Sequence, residues 1–112
     1  MAVVNQYKFY GKTVTAAETN TLLSAGAAET YIIKSIRVTN KSGSNTPTIT
    51  LKNNAFEIVN TQSLTAATSV EILTLPLILE GSTTLTATTA GTVTDGVVIG
   101  ISYLNINKEI TT

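Results

Sequence analysis

The chain contains no cysteine, no histidine and no tryptophan, and its single arginine is Arg37. Each absence closes a class of chemistry. Without cysteine there is neither a disulfide framework nor a thiolate metal site, and the redox compartment leaves no signature. Without histidine the commonest general base and metal ligand is missing. One arginine, in a chain whose seven basic and seven acidic residues cancel, gives no electrostatic grip on nucleic acid. Charged residues occupy 12% of the 112 positions, about half the roughly 25% usual for soluble domains. Such a surface is rich in hydroxyls, and near-zero net charge favours association. Long apolar runs are also missing. The longest is broken by Thr74 and Pro76 and ends at Glu80, far short of the roughly 20 residues that span a bilayer. Met1 to Tyr10 lacks a basic end followed by an apolar stretch, so a signal peptide is not expected there. Neither nucleic acid nor a membrane is expected as a partner.

What the chain does have is β-branched side chains. There are 22 Thr, 11 Ile and 9 Val, or 37.5% of the sequence. These residues lose rotamer freedom in helices and pack well on pleated surfaces. The segment from Ala16 to Ala28 is the best helical candidate, but its Thr, Ser and Asn positions and Gly26 favour a short strand at Thr21–Leu23 followed by a turn. Period-two alternation then marks strands at Val3–Tyr10, Tyr31–Asn40, Thr48–Lys52, Thr83–Thr88 and Val97–Ile106. Gly11-Lys12 closes the first, and Thr13 to Thr15 either continue it or start the next. On the Tyr31–Asn40 strand, Ile32, Ile36 and Val38 share a face that also carries Lys34, which is therefore expected at a sheet edge or snorkelling. Ile49 and Leu51, and Leu85 and Ala87, are expected inward; on the last strand Val97, Ile99, Ile101 and Tyr103 face one way and Val98, Gly100, Ser102, Leu104 and Ile106 the other. Asn53-Asn54 reads as a turn, with Phe56 and Ile58 pointing inward after it.

Val70 and Ile72 form one face of a further strand, while Leu73, Leu75, Leu77 and Leu79 follow on the opposite parity. Either this stretch is buried on both sides or one side meets another chain. Pro76 marks an edge, a bulge or a break there. With no crossover helix, about eight antiparallel strands at turn spacings of roughly 8–12 residues predict one all-β domain over residues 1–112. Its form is an antiparallel β-sandwich, jelly-roll-like. Residues 1–12 are expected as an N-terminal arm or edge strand, and 107–112 as a frayed tail.

Catalytic chemistry finds little to use. The acids are Glu18, Glu29, Glu57, Glu71, Glu80, Glu109 and Asp95, scattered along the chain. Glu57 and Glu71 lie on neighbouring expected strands, but they read as solvent-face charges rather than a glycosidase pair. No Ser-x-x-Lys spacing supplies a base to a serine nucleophile. No loop gathers the carboxylates that calcium needs, and no Gly-rich loop opens a helix for phosphate. No catalytic residue, metal or cofactor is therefore expected. Tyr7 and Phe9 share strand parity, which suits a small sugar-stacking platform or ordinary packing.

Several segments go beyond composition. Leu22-Leu23-Ser24-Ala25-Gly26 precedes Glu29-Thr30-Tyr31-Ile32-Ile33-Lys34-Ser35-Ile36-Arg37-Val38-Thr39-Asn40. Later come Leu79-Glu80-Gly81-Ser82-Thr83-Thr84-Leu85 and Ile101-Ser102-Tyr103-Leu104. From Leu22 to Leu104 the pattern resembles small β-sandwich structural proteins of tailed bacteriophages, found as capsid decoration (cement) proteins and as neck or tail components. Ser82 stands where the family pattern often has Asp. The resemblance carries no catalytic residues. It implies a virion location, other virion proteins such as the major capsid protein as partners, and a homo-oligomer, a trimer before other states. Val3, Tyr7 and Phe9 are the expected N-terminal contact, by strand addition. Leu73, Leu75 and Leu77 are the expected subunit contact. A neck, tail or fibre component and a carbohydrate-binding host-attachment module are the alternatives.

Overall fold

Strand is what this composition builds. The computed structural model describes the backbone of residues 3–108 and the side chains of residues 5–107. Its strands are β1 (Val3–Val14), β2 (Thr19–Ser24), β3 (Glu29–Asn40), β4 (Thr48–Asn53), β5 (Phe56–Ser63), β6 (Ser69–Glu71), β7 (Leu77–Leu79), β8 (Thr84–Ala90) and β9 (Val97–Lys108). The described residues include no helix. Every strand pairing is antiparallel.

One sheet has the order β1-β9-β3-β6, with β7 also paired to β3; the other has the order β2-β8-β4-β5. The short β6 and β7 thus occupy one edge position beside β3, interrupted at Pro76, whose missing N–H cannot continue a ladder. Nine strands therefore fill eight positions. The topology follows from folding the chain as one long hairpin about the β4–β5 turn. Its rungs are β1·β9, β2·β8, β3·β6/β7 and β4·β5, and the pairings β3·β9 and β4·β8 wrap that hairpin on itself. This is the two-sheet jelly roll.

Between the sheets lies a core in which Ile33, Ile36, Val38, Ile49, Leu51, Leu79, Leu85, Val97, Ile99 and Ile101 are wholly buried. Each such aliphatic side chain contributes about 1.5–3 kcal/mol relative to exposure. The alternation expected for β4, β8 and β9 holds. That expected for β3 fails in its first half. The register with β9 shifts between Ile33 and Ser35, so Ile33 rather than Ile32 is buried, and Lys34 is an exposed bulge residue rather than a member of the apolar face. A bulge inserts one residue and reverses the parity beyond it. β2 shows the same effect. Its register with β8 shifts between Thr21 and Leu23, and adjacent Leu22 and Leu23 are both buried.

Two other expectations are corrected. β1 does not stop at Gly11; it runs on to Val14, with Gly11 opposite Gly100. Phe56 is not inward but 78% exposed. It follows the tight turn in which Asn54 takes φ 54°, and two register shifts between β4 and β5 carry it past the end of the core. Gly81 owes its place to space rather than to a left-handed angle. A Cβ there would lie 2.8 Å from the Ala27 carbonyl oxygen, while neighbouring Ser82 adopts φ 64°.

Loop ends are held by buried polar groups. The Asn40 side chain, 2% exposed, donates through Nδ2 to the carbonyls of Asn45 at 2.8 Å and Leu64 at 3.2 Å. Its Oδ1 accepts from the Ser42 N–H at 3.1 Å. Thr89 Oγ1 similarly donates to the Ala16 carbonyl at 3.0 Å, fastening the β1–β2 link. No helix among the described residues is long and apolar enough to cross a membrane.

Candidate interaction face

The two sheets differ in length. β1, β3 and β9 each have 12 residues, whereas β2 and β4 have six and β8 has seven. At roughly 3.4 Å per residue, the longer sheet outruns the shorter one by several residue pairs, and the molecule measures 55 × 23 × 22 Å. The β1 side of this projecting end is uncovered: residues Asn5 to Phe9 are exposed on both strand faces. Among the described residues β1 pairs with β9 alone, which leaves one row of its main-chain donors and acceptors without a partner among them.

The outer face of this end carries an apolar row. Registers place Tyr7 opposite Leu104, Leu104 opposite Ile32 and Ile32 opposite Ile78. The row therefore crosses β1, β9, β3 and β7. Tyr7 is 80% exposed and Ile78 46%, while Leu104 and Ile32 are half-buried by their neighbours. Cross-strand apolar neighbours of this kind normally sit beneath another layer of protein.

Next along the same face, the Phe9 ring lies over the paired glycines. A Cβ on Gly100 would sit 3.2 Å from Phe9 Cε1 and Cζ, and one on Gly11 would sit 3.1 Å from Cε2. Glycine at both positions therefore lets the ring settle onto the backbone, with 71% of the residue still exposed. Beside the ring is a shallow groove of about 390 Å³, lined by Phe9, Ser35, Arg37, Thr39, Gly100 and Ser102 together with Val98. The β3 bulge shapes its far side. Ser35 Oγ donates to Glu71 Oε1, and the Ile36 N–H donates to Glu71 Oε2 at 2.8 Å. Glu71 is thereby committed to the bulge, although Arg37 is its register partner.

The inner face of the projecting end is polar. Glu29 Oε1 accepts from the Gly26 N–H at 2.8 Å and from Tyr31 Oη at 3.3 Å, and its Oε2 accepts from Asn105 Nδ2 at 3.2 Å. The Gly26 amide bond, chief among these influences, holds the Glu29 carboxyl below its ordinary value. Burial, with the Glu29 charge beside it, pushes the Tyr31 hydroxyl up to about 12. The same two causes raise Tyr103, whose ring is tilted against Tyr31 at 4.9 Å. Among the described residues, Asn105 Oδ1 is buried without a partner.

The residues expected to make contacts fall in separate places. Tyr7 and Phe9 are on the outer face near the β1 edge. Val3 belongs to β1, but its side chain lies outside the described residues. Leu75 is 76% exposed in the β6–β7 link at the opposite edge, whereas Leu73 and Leu77 pack against the core. Ile32, Ile78 and Leu104 were not singled out by sequence, since only the four-strand register unites them. Glu57 and Glu71 belong to different sheets, and the Glu71 carboxylate is engaged by Ser35, Ile36 and Leu73. Among the described residues, no three acidic, histidine or cysteine side chains cluster as metal ligands.

No family model matches the sequence, and no curated protein matches it. Among solved structures, the chain is similar to one of infectious bursal disease virus, Gt strain, at 12% identity and a TM-score of 0.42. The alignment covers 98% of this chain and 38% of that one, so the chain spans well under half of the protein it matches.

Proposed function

We propose that the chain is a virion structural protein: a decoration (cement) protein of a tailed-bacteriophage head that binds the outer shell and bridges major capsid subunits. The observation that carries this reading is the projecting end of the longer sheet. It combines a β1 edge unpaired among the described residues with the outer-face row Tyr7–Leu104–Ile32–Ile78, exposed at its ends Tyr7 and Ile78. A free edge recruits a strand from a partner through main-chain hydrogen bonds, and flanking side chains give that addition its specificity. The jelly roll itself is used by capsid, lectin and cupin domains alike, so fold alone does not choose a function. The phage-like segments from Leu22 to Leu104 and the chain's scarcity of charge favour the first use, because interface centres are depleted in charged residues. Bridging shell subunits requires surface complementarity and a stable core, with no bond made or broken. A trimer of the small protein on the shell is part of the proposal.

The test is rebinding to particles stripped of the protein. Wild-type protein should return saturably, and Tyr7→Asp with Ile78→Asp should fold and fail to return. Return of that double variant at wild-type occupancy would remove the projecting end from the account. Failure of the wild-type protein to return would count against decoration itself.

A further inference from the structure

The groove beside Phe9 has the makings of a ligand site, and it adjoins the proposed docking row: Phe9 and Ser102 lie two residues along β1 and β9 from Tyr7 and Leu104, about 7 Å of strand. Gly100, at its floor, is four residues from Leu104 along β9, which is about 14 Å of strand.

We propose that this groove binds a saccharide unit bearing a carboxylate, of the uronic-acid class. Three features select that chemistry. First, the Phe9 ring lies against Gly11 and Gly100 and keeps most of its surface in solvent. An aromatic face carries negative quadrupole charge, which attracts the positive C–H edges of a pyranose laid flat on it. Second, Arg37, the only arginine of the chain, is exposed at the groove. Its strand neighbour Glu71 is occupied by Ser35 Oγ and the backbone N–H groups of Ile36 and Leu73. With Glu71 so engaged, the Arg37 guanidinium that lines the groove is available as a bidentate partner for a carboxylate. Third, the rim supplies hydroxyls: Ser102 can donate or accept toward ring hydroxyls, Ser35, whose proton goes to Glu71, can accept, and Thr39 has one hydrogen bond already made with Ser69. The volume, about 390 Å³, is at the small end of the roughly 300–1,000 Å³ spanned by ligand pockets, which suits one sugar unit of a longer chain. A nucleic-acid strand would also stack on Phe9, but one arginine in a chain of zero net charge gives it no phosphate track. This proposal does not depend on the virion reading.

The experiment is an amide-resolved NMR titration with tetragalacturonate at millimolar concentration. Parallel titrations use its methyl ester and a thymidine oligonucleotide. Saturable shifts centred on Ser35, Gly100 and Ser102 are expected. Affinity should fall at least about tenfold for the ester and for Arg37→Gln, the loss expected when a charge-assisted pair is removed. Phe9→Ala and the groove-filling Gly100→Val should bind nothing, whereas Phe56→Ala, altering the other exposed phenylalanine, should bind as wild type. Thermal melts check that each variant is folded. Absence of shifts with tetragalacturonate would overturn the proposal. So would equal affinity for the ester, binding undiminished in folded Phe9→Ala, or stronger binding of the oligonucleotide.

Discussion

Replacing Ile33 and Ile32 separately by alanine tests the β3 bulge, on which both the core and the outer face depend. Ile33 is 0% exposed and sits opposite Tyr103, inside the sandwich. Removing its side chain there costs the transfer energy of the lost methyl and methylene groups plus a cavity, about 2–5 kcal/mol. Ile32 faces outward and is half-buried, so its truncation should cost about 1 kcal/mol or less. A domain of this size has a total stability of roughly 5–15 kcal/mol. Ile33→Ala therefore removes a large share of it. With a urea slope of about 1–3 kcal/mol per molar, a loss of about 3 kcal/mol moves the unfolding midpoint down by about 1–3 M. Ile32→Ala should move it by well under half as much. The assay is equilibrium urea unfolding followed by far-UV circular dichroism, with slopes compared to confirm a common two-state transition. Equal costs, or a larger cost at Ile32, would refute the bulge. β3 would then alternate without interruption, Lys34 would lie on the inner face, and the row Tyr7–Leu104–Ile32–Ile78 would not exist.

Other consequences follow from individual contacts. Asn40→Ala should lower stability by about 2–3 kcal/mol in the same unfolding assay, because it strands buried carbonyls of Asn45 and Leu64 and the Ser42 N–H. Gly81→Val should lower the melting temperature measurably, at a cost of about 1–3 kcal/mol, since its Cβ would press on the carbonyl oxygens of Ala27 and Gly26. Glu29 gives a pH dependence. Its carboxyl is held below 4.5 in the fold, chiefly by the Gly26 N–H, so the unfolded chain takes up the proton more readily than the folded one. Its stabilising contribution is complete above pH 4.5 and is lost as pH falls through the lowered folded value. Melting curves across that window should therefore fall less steeply for Glu29→Gln than for wild type, and identical slopes would contradict the assignment.

Much of the fold was legible in the sequence because alternation is a local signal. The inward sets on β4 and β8 and the division of β9 into two faces followed from residues two apart, and the turn at Asn54, with its positive φ, from turn chemistry; which face of β9 turns inward did not. What escaped was set from a distance. The β3 bulge is fastened by Glu71, 36 residues beyond Ser35, and no window around Lys34 contains that partner. Phe56 was misplaced for a related reason: the register shifts of β4 against β5 belong to the pair of strands, not to either alone. The outer-face row needed the pairing of β1, β9, β3 and β7, which brings Tyr7 and Ile78 together from far apart in the chain. Tyr7 and Phe9 could be seen to share a face, but not that Gly11 and Gly100 would meet beneath Phe9. The apolar stretch Val70–Leu79 was recognised as excessive for one wet-faced strand. Its division into β6, a link and β7 lets Leu73 and Leu77 reach the core while Leu75 stays in solvent.

The most direct measurement of the central claim is a cryo-EM map of the intact particle that carries this protein. The account predicts jelly-roll density on the outside of the head, repeated over the lattice in hundreds of copies, with the β1 edge and Tyr7 against a major capsid subunit. Density confined to one ring at the neck or tail would contradict decoration of the shell. A head-bound copy whose β1 end stands free in solvent would contradict the proposed mode of attachment.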